Sequence, residues 1–550
     1  MPGPHRWLLA VLLIACEHVP GQHVGASPVF TERAARRASC RGELREAIDA
    51  GVGWLCAHQA EDGYWSPEHF MHRDPAADRC DGAGREFHVH GVTALALLAV
   101  LAQADEQHAG ACRRAADWLV GQLDGETGRL DTDASDAIYS QAIATAALAE
   151  AAALFGEARY REAAAKALAC IERHRTPGAG FGYTPLVGPN DSSILAWCAA
   201  AYASCRHAGI EVASAGFGEA LAWLETVTNP DGRVGYQKRE EGSARISVEH
   251  GRQFPIELVE TLTAAALHTR LLAGLAPDDA EAVVAADRLV ARPPDFAAPS
   301  RDFYYWLHGS TAMSQFDGTA QQKAWNEAVH AALLPNQRAE GSAAGSWDPT
   351  GVWGEHGGRV YATAAAVLAL SSEHRCGPFR PDDELRASKG LRHLARDWQR
   401  GAYGKVASSL DRKGREDLSP ADAGLHARVA WLLELAAQRD ERRLRTLVAA
   451  EAEDVRLVLQ ALESLADRWQ GHELGDRASA RFAACRAEPG IEAELAALDA
   501  IDGVTAAYEK ALRGNPGVRR RMHDKLVKLA EKHAGTKAGQ RLLEMAGRLH

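Results

Sequence analysis

Two kinds of apolar pattern alternate through residues 41–372. The first is amphipathic. "RGELREAIDAGVGWLCAHQ", "GACRRAADWLVGQL", "RYREAAAKALACIERH", "FGEALAWLETVTN", "DDAEAVVAADRLVA" and "GTAQQKAWNEAVHAALLPNQ" carry apolar residues at i, i+3, i+4 and i+7 with charges between them. That spacing predicts helices with one wet face. The second pattern is apolar or small nearly all round: "HVHGVTALALLAVLAQ", "AIYSQAIATAALAEAAAL", "SSILAWCAAAYASC", "PIELVETLTAAALHTRLL", "FYYWLHGSTAMSQF" and "RVYATAAAVLALSS". A helix without a wet face is buried, and these recur at roughly 50-residue intervals. Six outer and six inner helices in strict alternation predict an all-α fold. It is a closed α/α six-hairpin toroid over about 41–372, with an inner barrel and an outer sheath. An open solenoid would need polar caps at its ends, and none is evident before residue 41.

The loops from outer to inner helices have a regularity of their own. "QAEDGYW" supplies Gln59, Gly63 and Trp65; "NPDGRVGY" supplies Asn229, Gly232 and Tyr236; "NQRAEGSAAGSW" supplies Gln337, Gly345 and Trp347. Glycine permits the reversal after a helix end. The aromatic is expected to plug the gap between hairpins, and the amide to bond free backbone groups there.

Composition sharpens the picture only in places. Alanine is abundant and β-branched residues are sparse, which favours closely packed helices. The net charge is -11 and no long Lys/Arg run occurs, so nucleic acid is not an expected partner. The N-terminal "MPGPHRWLLAVLLIACEHVPG" has His5 and Arg6 before a short apolar run, as in a signal peptide. "LIAC" resembles a bacterial lipobox. That resemblance implies removal of residues 1–15 and lipidation of Cys16, with periplasmic or cell-surface localisation and membrane contact by the lipid anchor only. Cleavage after Ala26 in "VGAS" is the rival reading. Residues 16–40 are then expected as a tether. Export would permit disulfides, but no CxxC spacing occurs. Cys112, Cys170 and Cys198 read as small buried residues.

Gln59-x3-Gly63-x-Trp65 is similar to the QW motif of the squalene cyclase and protein prenyltransferase superfamily. "FYYWLHGSTAM", "AWNEAVHAALLPNQ", "GSWDP" and "GGRVYATAAAVLAL" resemble the C-terminal repeats of exported bacterial proteins with this domain. The resemblance covers about residues 41–372 and implies an α/α toroid with a central cavity. It does not fix an activity.

Squalene cyclases have Asp-x-Asp-Asp opening an inner helix, the middle aspartate protonating an alkene. "GRLDTDASDAIYSQ" has Asp131 and Asp133 but Ala134 in the last place, with Asp136 two residues on. A carboxyl acidic enough for that chemistry needs several placed partners. Asp133 or Ser135 as helix N-cap, with Asp136 in the first turn, explains the cluster without chemistry and is preferred. Prenyltransferases need a zinc-binding histidine at the start of the last inner helix, where Ala362 stands. A glycan-active toroid needs paired carboxylates, for which Asp191, Glu257 and Glu260 qualify by location only. The loop with His69, His72, Asp74, Cys80, Asp81, His88 and His90 has metal-ligand residue types, but its spacing matches no ligand pattern. No metal and no cofactor is assigned. His88, His90, Tyr139, Asp191, Glu257, Tyr304, Tyr305, His308 and Tyr361 are the expected cavity-binding residues, suited to an apolar or glycan ligand.

After the toroid (41–375), "GPFRPDDE" reads as a linker over 376–385. Residues 386–550 are amphipathic and charge-rich, as in a TPR-like or irregular set of helical hairpins, a module for a protein partner or a scaffold. The expected function is an exported, lipid-anchored binding or scaffold protein. The alternative is an enzyme, either cyclase-like with Asp133 as acid or glycan-active.

Overall fold

The computed structural model describes residues 28–130, 136–178, 180–297, 299–376, 381–412, 418–448, 452 and 454–549. Helix α1 (Pro28–Arg37) comes first. Outer and inner helices then alternate: α2 (Gly42–Ala57) with α3 (Val89–Leu101), α4 (Ala109–Gly121) with α5 (Ala137–Phe155), and α6 (Ala158–His174) with α7 (Ser192–His207). The second half continues with α8 (Ser214–Val227), the short α9 (Val248–Gln253) and inner α10 (Thr261–Leu272). It ends with α11 (Ala280–Ala291) and α12 (Phe303–Met313), then α13 (Ala320–Leu333), α14 (Gly354–Leu370) and the short α15 (Ser372–Cys376). Each of α3, α5, α7, α10, α12 and α14 packs on the next, and α14 returns to α3. The ring is closed, and the architecture is an α/α toroid.

Alanine sets the tightness of the ring. Ala94, Ala96, Ala99, Ala144, Ala147 and Ala365 are fully buried at helix–helix contacts, where a larger side chain would hold the axes apart. α5 is the one described helix long and apolar enough to cross a membrane, and it is an inner helix of the ring.

The loops are pinned as their composition suggests. Trp65 is fully buried and its Nε1–H donates to the carbonyl of Leu55, 2.7 Å away. Trp347 repeats the arrangement on Leu333 at 2.8 Å. The Gln59 amide donates to the carbonyls of Gly63 and Ala111, and Gln337 to those of Ala47 and Gly345. Gln141, on inner helix α5, does the same work in reverse: it accepts from the Leu130 amide and donates to Gly128. The carbonyls of Leu55 and Leu333 lie in the last turns of their helices, where backbone acceptors lack helical partners, and the glutamine amides tie each loop to a neighbouring outer helix.

The seam of the ring lies between the loop before α3 and the start of α14. The Arg85 amide donates to the carbonyl of His356 and the Arg359 amide to that of Gly82, each at 2.8 Å. Gly358 makes this possible. Its φ of 66° and ψ of -166° lie outside helical values, and a Cβ there would stand 2.5 Å from the Gly84 nitrogen. The buried Arg359 guanidinium then clasps the seam, reaching Asp81, Ser346 and Asp348.

Helix α1 differs from the expected tether over 16–40. Its Arg33 is buried against the Leu101 carbonyl and Glu150, and Arg37 against Gln103. Arginine-rich "ERAARR" reads as wet, yet the C-terminal ends of α3 and α5 supply it with buried acceptors. Cys16 lies outside the described residues.

A second core forms beyond the toroid. It is built from α16 (Pro381–Ala387), α17 (Ala395–Gln399), α18 (Tyr403–Arg412), α19 (Pro420–Thr446) and α20 (Val455–Arg468), followed by α21 (Glu473–Ala487), α22 (Ile491–Leu512), α23 (Pro516–Lys532) and α24 (Lys537–Gly547). α20 pairs with α21 and α23 with α24. The long α19 bridges the two parts: it packs on α8 and delivers Trp431, Leu432 and Leu435 to the toroid core.

Candidate functional site in the barrel

The inner helices all run the same way, so the barrel has an end formed by their N-termini and another formed by their C-termini. The two ends differ in chemistry.

The N-terminal end is filled with polar aromatic side chains. Asp191 caps α7, accepting from the amides of Ser193 and Ile194, and Asp302 caps α12 through those of Tyr304 and Tyr305. Both carboxyls are buried, and burial raises them above the usual carboxylate range. The Tyr139 hydroxyl lies 2.6 Å from Ser193 Oγ, and the Tyr304 hydroxyl donates to the Ser193 carbonyl at 3.0 Å. The Tyr361 hydroxyl has no partner among the described residues. At the rim, His88 Nε2 meets His356 Nδ1 at 3.1 Å, and His88 Nδ1 is 3.7 Å from the Asp136 carboxylate. Burial lowers the His88 pKa, with Asp136 opposing it.

Deeper in the barrel, His268 and His308 face each other through their Nδ1 atoms, 3.1 Å apart. One ring must donate and the other accept, so at least one is neutral. Burial pushes the His268 pKa down to about 3 and that of His308 well below the usual range. Trp197 stands edge-on to His308, with ring centres 5.0 Å apart. His308 Nε2 has no partner among the described residues.

From this pair a cavity of about 310 Å³ runs to the C-terminal end. Its walls are apolar: Leu98, Trp197, Leu271, Leu307 and Leu368. Its mouth is cationic, with Arg33, Arg36, Arg206, Arg375 and Arg428 against Glu32, Glu150 and Glu384. Glu150 bridges Arg33 at 3.0 Å and Arg375 at 2.5 Å. Burial pulls its carboxyl up, but the two guanidiniums outweigh this and hold it below its ordinary value. Arg428 pairs with Glu384. Arg36 donates to the His374 carbonyl, and Arg206 stacks on Trp431. Neither pairs with a carboxylate among the described residues. Burial lowers the pKa of both, that of Arg206 to about 10. Helix α1 and the C-terminal domain complete the mouth, contributing Arg36, Arg428 and Trp431.

Of the residues named from sequence, Tyr139, Asp191, Tyr304 and His308 gather inside the barrel, and His88 stands at its rim. Others point elsewhere. His90 stacks on Trp118 of outer helix α4, with ring centres 5.4 Å apart. Tyr305 donates to the Arg292 carbonyl and packs on Trp325 of α13. On a helix one residue from Tyr304, its side chain is turned by about 100° to the sheath. Glu257 is exposed and meets Arg292 only through its backbone carbonyl. Asp131 and Asp133 lie outside the described residues. α5 begins at Ala137, so Asp136 stands at the N-cap position without a capping bond from its side chain. The expected first-turn place for Asp136 is thereby corrected: its carboxylate turns to His88. Sequence reasoning missed the arginines of the mouth. Their signal was present, as basic residues just past apolar helices in "YASCRHAG" and "SEHRC", but it also fits simple complementing of helix dipoles.

No protein-family model matches the chain, and no curated protein matches it. Solved structures to which it is similar include a type II terpene cyclase from Scytonema in complex with merosterolic acid A, at 15% identity and a TM-score of 0.41, covering 62% of this chain and 99% of that one. An inactive α-1,6-mannanase variant from Salegentibacter in complex with α-1,6-mannotetrose is similar at 11% identity and a TM-score of 0.42, covering 61% and 99%. A protein from Actinoplanes is similar at 18% identity and a TM-score of 0.37, covering 60% and 99%.

Proposed function

We propose that the protein is an exported, lipid-anchored binding protein whose toroid holds an apolar ligand bearing one anionic group. The observation that carries this reading is the cavity itself: apolar walls ending in arginines, two of which pair with no carboxylate among the described residues. Apolar burial would supply most of the affinity, and a guanidinium is suited to a carboxylate or phosphate. His308 Nε2 offers one further hydrogen bond at the closed end. Export and the anchor rest on "LIAC" and the apolar run before it.

The test compares dodecanoate with its uncharged methyl ester by calorimetry. Dodecanoate is expected to bind more tightly, with Arg206→Gln erasing the difference and Leu271→Trp abolishing both. Equal binding of acid and ester, unaffected by Leu271→Trp, would sink the reading.

The row Asp136–His88–His356 supports a second, catalytic reading, with proton transfer at the opposite end of the barrel. Steady turnover of a polyprenyl or oligosaccharide substrate, lost in Asp133→Asn or His88→Gln, would favour it over binding.

A further inference from the structure

A separate cluster lies outside the barrel, where outer helix α2 ends and the long loop to α3 begins. His58 Nε2 is 2.9 Å from Asp74 Oδ1 and 3.8 Å from Cys80 Sγ. All three ligand atoms lie within 4.8 Å of one another. The three side chains are buried, that of Asp74 being 4% exposed.

The hydrogen-bond arrangement is the telling part. His58 Nδ1 is 2.8 Å from the Trp54 carbonyl oxygen. A carbonyl can only accept, so Nδ1 carries the proton. A neutral ring then turns the bare lone pair of Nε2 toward the carboxylate of Asp74. Two acceptors at 2.9 Å need a positive centre between them, a second proton or a metal ion. Cys80 supplies a third donor atom at the same point: with a proton between the other two its thiol is their hydrogen-bond partner, and with a metal ion it is a third ligand. Asp74 is oriented by the Cys80 amide, which donates to Oδ2 at 2.9 Å. The His58 ring is clamped by stacking on Trp54, with centres 4.1 Å apart. A backbone carbonyl on the far nitrogen and a fixed ring are what a metal-binding imidazole requires.

We propose that His58, Asp74 and Cys80 bind a zinc ion. With bonds of about 2.0–2.1 Å to nitrogen and oxygen and about 2.3 Å to sulfur, tetrahedral ligand atoms stand about 3.3–3.6 Å apart. The observed separations bracket that range. Imidazole, carboxylate and thiolate together suit zinc better than magnesium or calcium. Binding displaces the proton of the Cys80 thiol and any proton shared between His58 Nε2 and the Asp74 carboxylate, and with two anionic ligands and one neutral one the zinc site is electrically neutral. A water molecule fills the fourth position. The ion staples a loop with little regular structure to the end of α2, just before the Gly82–Arg85 segment that closes the ring.

The test uses the full untagged chain, stripped with a chelator and titrated with cobalt chloride. One equivalent should bind, giving intense visible bands and a near-ultraviolet thiolate-to-cobalt band. Cys80→Ser should remove the thiolate band, and His58→Gln should weaken cobalt binding about tenfold or more. If His58→Gln fails to fold, the wild type and the near-isosteric Cys80→Ser still decide. Absence of the thiolate band in natively folded wild type overturns the proposal, and so does a band that persists in Cys80→Ser.

Discussion

The guanidinium carbon of Arg206 lies 3.7 Å from the centre of the Trp431 ring. One residue ends an inner helix of the toroid and the other sits on α19 of the C-terminal domain. Stacking at this half-buried site joins the two parts and keeps a cation at the cavity mouth. Trp431 also packs edge-on to Phe217. Trp431→Ala is expected to cost about 3–5 kcal/mol. It should also loosen α19 from α8, read as faster amide hydrogen exchange in both helices. Exchange unchanged in α8 would count against this junction.

Glu150 sits between two buried guanidiniums. Glu150→Gln leaves Arg33 and Arg375 without their shared counter-charge, and about 3–5 kcal/mol of stability should go with it. The carboxyl is held below its ordinary 4.5. Its contribution is therefore fully present above that value and lost as the pH falls through the lower folded-state pKa. Urea titrations of wild type and variant at a series of pH values should converge toward the acid end.

The barrel histidines act at higher pH. His268, and with it His374 behind the mouth, is pushed down to about 3 from 6.5. The unfolded chain thus binds protons that the folded chain refuses. Stability is full above about 6.5 and falls from there toward about 3, by ~1.4 kcal/mol per pH unit for each histidine. His268→Asn should flatten the melting-temperature profile between those limits. An unchanged slope would mean that the ring is protonated without penalty.

Gly358 tests the seam. Its backbone angles belong to a region open essentially to glycine alone, and there is no room for a Cβ beside Gly84. Gly358→Ala is expected to destabilise by about 1–3 kcal/mol from backbone strain alone. The damage should be local: proteolysis should appear in the loop before α3 ahead of any other site.

How much of this was legible beforehand varies with the reach of the forces involved. The alternation of inner and outer helices was readable because burial on every side leaves a mark on every residue, as "TALALLAVL" shows. The ring was a fair inference from the same pattern. Which end of the barrel stays open was not readable. It depends on Arg33, Arg206, Arg375 and Trp431 meeting across long stretches of chain, and no local pattern encodes that. Tyr304 and Tyr305 show the same limit on a smaller scale: neighbours in a run of aromatics, one faces the barrel and the other the sheath. The site at His58, Asp74 and Cys80 escaped because its histidine belongs to a helix end and not to the histidine-rich loop.

The contacts between Asp81 and Arg359 join positions 278 residues apart. Chain entropy alone sets about 5 kcal/mol against a loop of that length. The barrel therefore has no partial version that is half as stable: five inner helices leave two bare apolar faces, and the sixth covers both at once. Since α14 is the last inner helix to be made, the nascent chain must carry those faces uncovered until nearly the whole ring has emerged. The interval between the first inner helix and the last is when this protein most needs a chaperone.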